Sequence, residues 1–274
     1  MKIMKLITTI GILLLFCMQI TFAQDYEADS LTVPFSEPSQ PKHLKASVMM
    51  GSIFVKGYDG KDAIIVARTR IRKSRENRMK DGMRLIPNTS TGLTVEEEDN
   101  EMSISTSSWA RAIELTIKVP RWTSLELSSM NGGVIEVDKI EGEVEANNMN
   151  GSVALTNISG AAIAYSANGR VTVAFDNITP DKTMSFITMN GTIDVTFPTA
   201  IKADVKLRTD NGNVYSDFDI EMQRNVRKIE KSPRGKGRKY RVTLDKDMYG
   251  TINGGGPEFQ FRTLNGNIYI RKKK

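Results

Sequence analysis

The sequence predicts an all-β fold, a β-solenoid (β-helix-like) of stacked rungs of roughly 18–22 residues. Three observations carry this. Asn-Gly recurs at near-constant spacing, the residue types around it repeat by position, and the segments between alternate apolar with polar. Seven Asn-Gly pairs begin at Asn131, Asn150, Asn168, Asn190, Asn211, Asn253 and Asn265, the first five spaced by 19, 18, 22 and 21 residues. Self-similarity at such a period marks stacked repeats.

The N-terminus comes first in chain order. Residues 1–23 read as a secretory signal: Lys2 and Lys5, an apolar run from Leu6 to Ile20, then Thr21-Phe22-Ala23 before Gln24. The run is too short for a stable transmembrane helix, and no later segment is long and apolar enough for one. Cys17, the one cysteine, falls inside this leader, so stability after export must come from the core and not from disulfides. Loss of Lys2 and Lys5 takes the 38 basic residues to 36 against 32 acidic, a net charge of +4. That is too small to imply nucleic acid. The predicted location is the periplasm or cell surface.

Residues 24–42, with Pro34, Pro38 and Pro41, read as a linker or N-terminal cap. Residues 43–274 read as a single solenoid domain. Leu44, Ala46, Val48 and Met50 alternate into Gly51-Ser52-Ile53-Phe54-Val55, which resembles a later unit with its asparagine replaced.

The repeat itself is a register. Two residues before the asparagine stand Ser129, Asn148, Ser166, Thr188, Thr209 and Thr263; four before stand Leu127, Ala146, Ala164, Phe186, Leu207 and Phe261. Three after stand Val134, Val153, Val171, Ile193, Val214 and Ile268. Period-2 alternation is the mark of a half-buried strand, and Asn-Gly is expected to supply a turn with positive φ, making Asn131, Asn150, Asn168, Asn190, Asn211 and Asn265 structural turns. A hairpin meander would also use such turns. Stacking is favoured because it rewards identical columns, whose Ser, Thr and Asn side chains can bond along the ladder. Met130, Met149 and Met189, one residue before asparagine, are expected to pack the corner. A second turn falls halfway, at Ile140-Glu141-Gly142, Ile158-Ser159-Gly160 and Ile178-Thr179-Pro180.

Two basic loop or hairpin insertions, about 68–92 and 222–242, interrupt the repeat. Arg70, Arg72, Lys73 and Arg75 lie in the first; Arg227, Lys228, Arg234, Lys236, Arg238 and Lys239 lie in the second. These residues form a candidate surface for anionic glycans or lipids, against the plainer reading of solvated charged loops. The edges of terminal rungs, near residues 24–42 and 266–274, offer a route to self-association.

Chemistry is sparsely signalled. His43 is the one histidine, and with no cysteine after the leader a His/Cys zinc site is excluded. The carboxylate pairs Glu136 with Asp138 and Asp217 with Asp219 are expected on one strand face each, a spacing that suits glycoside hydrolysis and also a solvated face. No catalytic residue, cofactor or metal is expected.

From Leu44 to Arg271 the pattern resembles the bacterial putative-adhesin β-strand-repeat domain family, a family of unknown function found in exported and envelope proteins. The likeness is carried by Leu115-Thr116-Ile117-Lys118-Val119-Pro120 before Leu125-Glu126-Leu127, by the Asn-Gly units, and by Gly250 to Gly256 leading into Thr263-Leu264-Asn265-Gly266-Asn267-Ile268. It implies a β-solenoid and carries no catalytic residue. The reading of function is a non-catalytic, exported scaffold or interaction module, adhesion included, at the bacterial cell envelope. Its partner would be an envelope protein or an anionic polymer; a carbohydrate-active enzyme on a β-helix is the alternative.

Overall fold

The computed structural model describes residues 26–70, 79–80, 83–84, 91–106, 111–223, 228–231, 241–244 and 247–274. The described chain is all-β. Twenty strands join in one large open sheet network, with two separate two-stranded pairs.

The N-terminal part holds β1 (Tyr26–Val33), the long β2 (Lys42–Tyr58), β3 (Ala63–Arg70), the small pair β4 (Met79–Lys80) and β5 (Met83–Arg84), then β6 (Leu93–Glu98), β7 (Glu101–Thr106) and β8 (Ile113–Pro120). The repeat follows as strand couples: β9 (Thr123–Asn131) with β10 (Ile135–Asp138), β11 (Val144–Asn148) with β12 (Val153–Gly160), and β13 (Ala162–Ser166) with β14 (Val171–Ile178). It continues with β15 (Met184–Asn190) and β16 (Ile193–Phe197), then β17 (Ala203–Asn211) and β18 (Val214–Ser216). The chain closes with β19 (Ile220–Met222), the pair β20 (Lys228–Lys231) and β21 (Arg241–Leu244), then β22 (Met248–Ile252), β23 (Glu258–Asn265) and β24 (Ile268–Lys272).

From β9 to β16 pairing skips one strand at each step. β9 pairs with β11, β11 with β13 and β13 with β15, all parallel and in register; β10 pairs with β12 and β14 with β16 in the same way, and β12 pairs with β14 in parallel with a register shift between Leu155 and Ser159. Two ladders result. The corner ladder runs β6, β7, β2, β9, β11, β13, β15, β23, β17, β22, β19; the companion ladder runs β1, β3, β8, β2, β10, β12, β14, β16, β24, β18. The strand β2 belongs to both, bending at Gly51, whose φ is 126°.

Spatial order departs from chain order twice. The strand β2 lies between β7 and β9 in one ladder and between β8 and β10 in the other. The last couple, β23 with β24, lies between β15 with β16 and β17 with β18. Residues 268–272, expected at an end, are therefore interior. Antiparallel β3 and β1 cover one end of the companion ladder, and β22 and β19 cover the opposite end of the corner ladder.

The strands from β9 to β17 bury alternate residues, with a break in β12, while β18 buries none, and the buried sets of both ladders meet in one core. The core changes character along the stack. Around β9 to β12 it is aliphatic, with Leu125, Leu127, Ile135, Val137, Val153 and Leu155; further on Phe175, Phe197 and Phe259 stack face to face at 5.2 and 5.3 Å, and Phe186 packs on Phe261 at 5.2 Å. Each fully buried ring or branched side chain stabilises the fold by about 1.5–3 kcal/mol.

One column is shifted from the sequence reading. Ile135, not Val134, pairs with Val153 and is fully buried, while Val134 is half-exposed. The cause is an extra residue: Gly132, at φ 70°, bulges outward, and Gly133 takes the glycine place.

Candidate functional site

The corner that faces the repeat's asparagines is built from four adjacent columns. The first supplies donors. Ser129 Oγ, Asn148 Nδ2, Ser166 Oγ, Thr188 Oγ1, Thr263 Oγ1 and Thr209 Oγ1 donate to the carbonyl oxygens of Gly51, Gly133, Gly151, Gly169, Gly191 and Gly266 on the neighbouring rung, at 2.9, 3.0, 2.9, 2.9, 3.1 and 2.9 Å. A tight corner breaks the strand ladder, and each of these bonds gives a glycine carbonyl the partner it would otherwise lack. The position therefore needs a short polar donor.

The second column is glycine, and its reason differs from the expected turn. Gly151, Gly169, Gly191 and Gly212 do not have positive φ. A Cβ on Gly151 would sit 1.7 Å from Gly133 O, on Gly169 2.4 Å from Gly151 O, on Gly191 2.0 Å from Gly169 O, and on Gly212 1.9 Å from Gly266 O. Glycine is required by close approach of successive rungs. Positive φ at an Asn-Gly glycine is confined, among the described residues, to Gly132 (70°), Gly254 (86°) and Gly266 (155°), and at Asn253-Gly254 the asparagine is left-handed as well (50°).

The third column is the asparagine. Asn150 donates to Asn131 at 3.1 Å, Asn168 to Asn150 at 2.9 Å, Asn190 to Asn168 at 2.8 Å, Asn265 to Asn190 at 2.7 Å and Asn211 to Asn265 at 2.8 Å. Six exposed amides thus form one continuous chain of bonds, which fixes the side chains beside it.

The fourth column points outward. Met130, Met149, Met189 and Leu264 are 42%, 46%, 46% and 40% exposed, which corrects the expectation that the methionines pack the corner. Next to them on the corner ladder's outer face, Ile163 is 45% exposed, with Tyr165 and Ile187 half-buried and in register with each other. The row is interrupted at β13, where the same position holds the buried Ala167, and on β17, where it holds Asp210. Met130 with Met149 on one side and Met189 with Leu264 on the other stand on neighbouring strands, and exposed apolar side chains so grouped are not the scattered ones ordinary on a surface. The alternation that hides apolar residues elsewhere is broken here on the solvent side, and that was the available signal.

Of the basic candidates, Arg70 ends β3 and Lys228 opens β20. Arg72, Lys73, Arg75, Arg227, Arg234, Lys236, Arg238 and Lys239 lie outside the described residues. The first basic stretch begins inside a paired strand: Arg68 lies 3.5 Å from Glu114 across β3 and β8.

His43 is half-buried on the outer face of β2, beside Glu101, in an open depression of about 750 Å³ that also presents Lys45, Glu96, Glu98 and Asp99. Glu97 borders it. Its carboxylate accepts the Ser36 backbone N–H at 3.0 Å and the Ser36 hydroxyl at 2.8 Å, and these bonds hold its pKa below the ordinary carboxylate value. They dock the proline-rich segment, whose Phe35 is buried and lies 5.7 Å from the Lys42 ammonium. Among the described residues no group of three or more His, Cys, Asp or Glu is placed to hold a metal ion.

One carboxylate of each pair is engaged in structural contacts. Asp138 accepts from Asn157 Nδ2 at 2.6 Å and Thr156 Oγ1 at 3.4 Å, with Lys56 at 3.9 Å. Asp217 and Asp219 lie in the bend between β18 and β19 and not on a strand face, because Phe218 between them turns into the core. Asp217 accepts the Lys272 backbone N–H at 3.3 Å.

Two aromatic features escaped the sequence reading. Trp122, at the turn from β8 to β9, is 66% exposed. At the far end of the companion ladder Tyr215, 49% exposed, stacks on Tyr269 at 5.1 Å and 11°.

No protein-family model matches the sequence, and no curated protein matches it. Among solved structures the chain is similar to a putative cell adhesion protein from Clostridium sporogenes, with 14% identity, coverage of 91% of this chain and 100% of that one, and a TM-score of 0.53. It is also similar to a putative adhesin from Bacteroides fragilis, with 11% identity, coverage of 92% and 98%, and a TM-score of 0.38. A putative lipid binding protein from Parabacteroides distasonis matches at 9% identity, coverage of 92% and 98%, and a TM-score of 0.24. The first is a likeness of fold, and it agrees with the resemblance drawn from the sequence.

Proposed function

We propose that the chain is a non-catalytic β-solenoid that works as an interaction module, in the manner of an adhesin scaffold, at a bacterial cell envelope. The alternation of parallel strands, most of them in register, between two ladders supports the solenoid, with residues 43–274 as its single domain. The leader-like residues 1–23 support export.

The single observation that carries the interaction role is the exposed row Met130, Met149, Met189 and Leu264 beside Ile163. It is held in place by the asparagine and donor columns beneath it. Methionine suits such a role because its flexible, polarizable side chain adapts to a partner's surface. The partner would be an envelope protein. The test is crosslinking and pull-down of the full chain from native envelope: a variant with Met130→Gln, Met149→Gln and Met189→Gln loses the captured partner while keeping its melting temperature, and undiminished capture would sink the proposal.

The basic stretches favour a second reading, an anionic glycan or lipid ligand, because positive charge is concentrated at 68–80 and 224–241. Replacing Arg234, Lys236, Arg238 and Lys239 with Ser would then abolish salt-sensitive retention on heparin, and unchanged retention would count against it.

A further inference from the structure

We propose that the open end of the companion ladder is a binding platform for a neutral pyranose glycan, with Tyr215 as its stacking surface. This goes beyond the corner row and the basic stretches and shares no residue with either.

The platform begins with a strand that has no further strand upon it among the described residues. The strand β18 pairs with β24 alone, and Asn213, Tyr215, Ser216 and Asp217 are exposed. Tyr215 and Tyr269 stand directly opposite on β18 and β24, so one face of the Tyr215 ring is covered by Tyr269, and among the described residues no strand covers the other.

The ring beneath is locked from several sides. The Arg271 guanidinium lies 5.0 Å from the Tyr269 ring, and Asn267 Nδ2 donates to the Tyr269 hydroxyl at 3.2 Å. Arg271 is in turn clamped by Asp194, to which Nε and an Nη donate at 2.6 and 3.1 Å. The next strand inward thus fixes the tilt of the outer ring. A rigid aromatic face loses little entropy on binding.

Chemistry selects the occupant. A flat, polarizable ring of about one rung's reach accepts another flat face with polarised C–H bonds, as an all-equatorial pyranose presents, and hydroxyls around that sugar's rim need donors and acceptors in the same plane. Asn213, two residues before Tyr215 in the strand, and the exposed Asp217, two after it, supply these beside Tyr215, while the Ser216 hydroxyl is taken up by the Phe218 backbone. A second copy of the chain fits less well: a three-residue edge buries far less than the roughly 800 Å² per partner of a stable interface. The fringe carries both signs of charge, Asp217 with Arg271 and Lys272, which favours a neutral ligand over a polyanion.

The probe is cellohexaose, a neutral β-linked glucose oligomer, followed by saturation-transfer NMR on the full chain without its leader. Binding is expected, unchanged by raising the salt from 50 to about 500 mM, retained in Tyr215→Phe and weakened about tenfold in Tyr215→Ala, whose melting temperature verifies its fold. Absence of transfer at millimolar sugar would overturn the proposal. So would binding that Tyr215→Ala leaves intact, binding that disappears with salt, or a Tyr215→Ala effect confined to self-association in sedimentation. None of these outcomes bears on the methionine row, whose pull-down reads a protein partner.

Discussion

Thr188 shows what one position in this repeat must do. Its hydroxyl donates to Gly169 O at 2.9 Å while its carbon skeleton is 1% exposed, so it is a core residue with one obligatory bond. Thr188→Val keeps the shape and leaves the carbonyl without its partner; we expect a loss of about 1–3 kcal/mol in urea unfolding, whereas Thr172→Val on an outer face stays within about 0.5 kcal/mol. Gly191 makes the complementary case. Alanine there would bring Cβ to 2.0 Å from Gly169 O, the carbonyl that the Thr188 hydroxyl holds, so Gly191→Ala is expected to cost about 3 kcal/mol or more. Gly132→Ala meets no atom within 4 Å and costs the strain of its φ of 70°, about 1–2 kcal/mol. Equal losses at the two glycines would refute close approach as the reason for the column. The donor, glycine and asparagine columns were legible from the sequence because each rung repeats the same requirement. The meaning of the glycine was not, since Asn-Gly fits a tight turn and a crowded corner equally well.

At the scale of elements, the proline-rich segment is held to the turn between β6 and β7 by Glu97. Its side chain accepts from Ser36 and from the Asn100 backbone N–H at 3.1 Å, while Asn100 exchanges bonds of 2.8 Å with Glu37. Hydrogen bonds to the ionised form, the Ser36 backbone N–H foremost, lower the folded-state pKa of Glu97 relative to the unfolded chain. A depressed carboxylate pKa contributes stability that is fully present above the unfolded value of about 4.3 and is lost as pH falls through the folded value. Hydrogen exchange at Ser36 and Asn100 should therefore keep its protection at neutral pH and lose it in acid. Glu97→Gln should remove that pH dependence; a variant that retains it would place the titration elsewhere. The sequence marked this segment as a linker or cap from its prolines, but the pairing of Ser36 with a glutamate 61 residues away has no local signature.

Over the whole molecule, what the sequence concealed is the order of the rungs. A one-dimensional period suggests that neighbours in the chain are neighbours in the stack, and from β9 to β16 they are. The couple β23 with β24 instead enters between two earlier couples, and β2 enters between β8 and β10. The strands β23 and β24 are thereby each paired on both sides, so detaching this couple breaks both ladders at once. The extra residue at Gly132 hid one register position for the same reason: only pairing reveals which of two adjacent β-branched residues turns inward. Function follows the same division. Columns that face inward are explained by stacking, and the row that faces outward is left with apolar side chains that stacking does not need.

That row supplies the most direct test. A photo-crosslinking amino acid placed at Met149 or Met189 on the corner, or at Thr172 on the companion ladder's outer face, is irradiated in native envelope. The expectation is one discrete protein adduct from positions 149 and 189 and none from 172. An adduct from 172 alone, or the same pattern from all three, would contradict it.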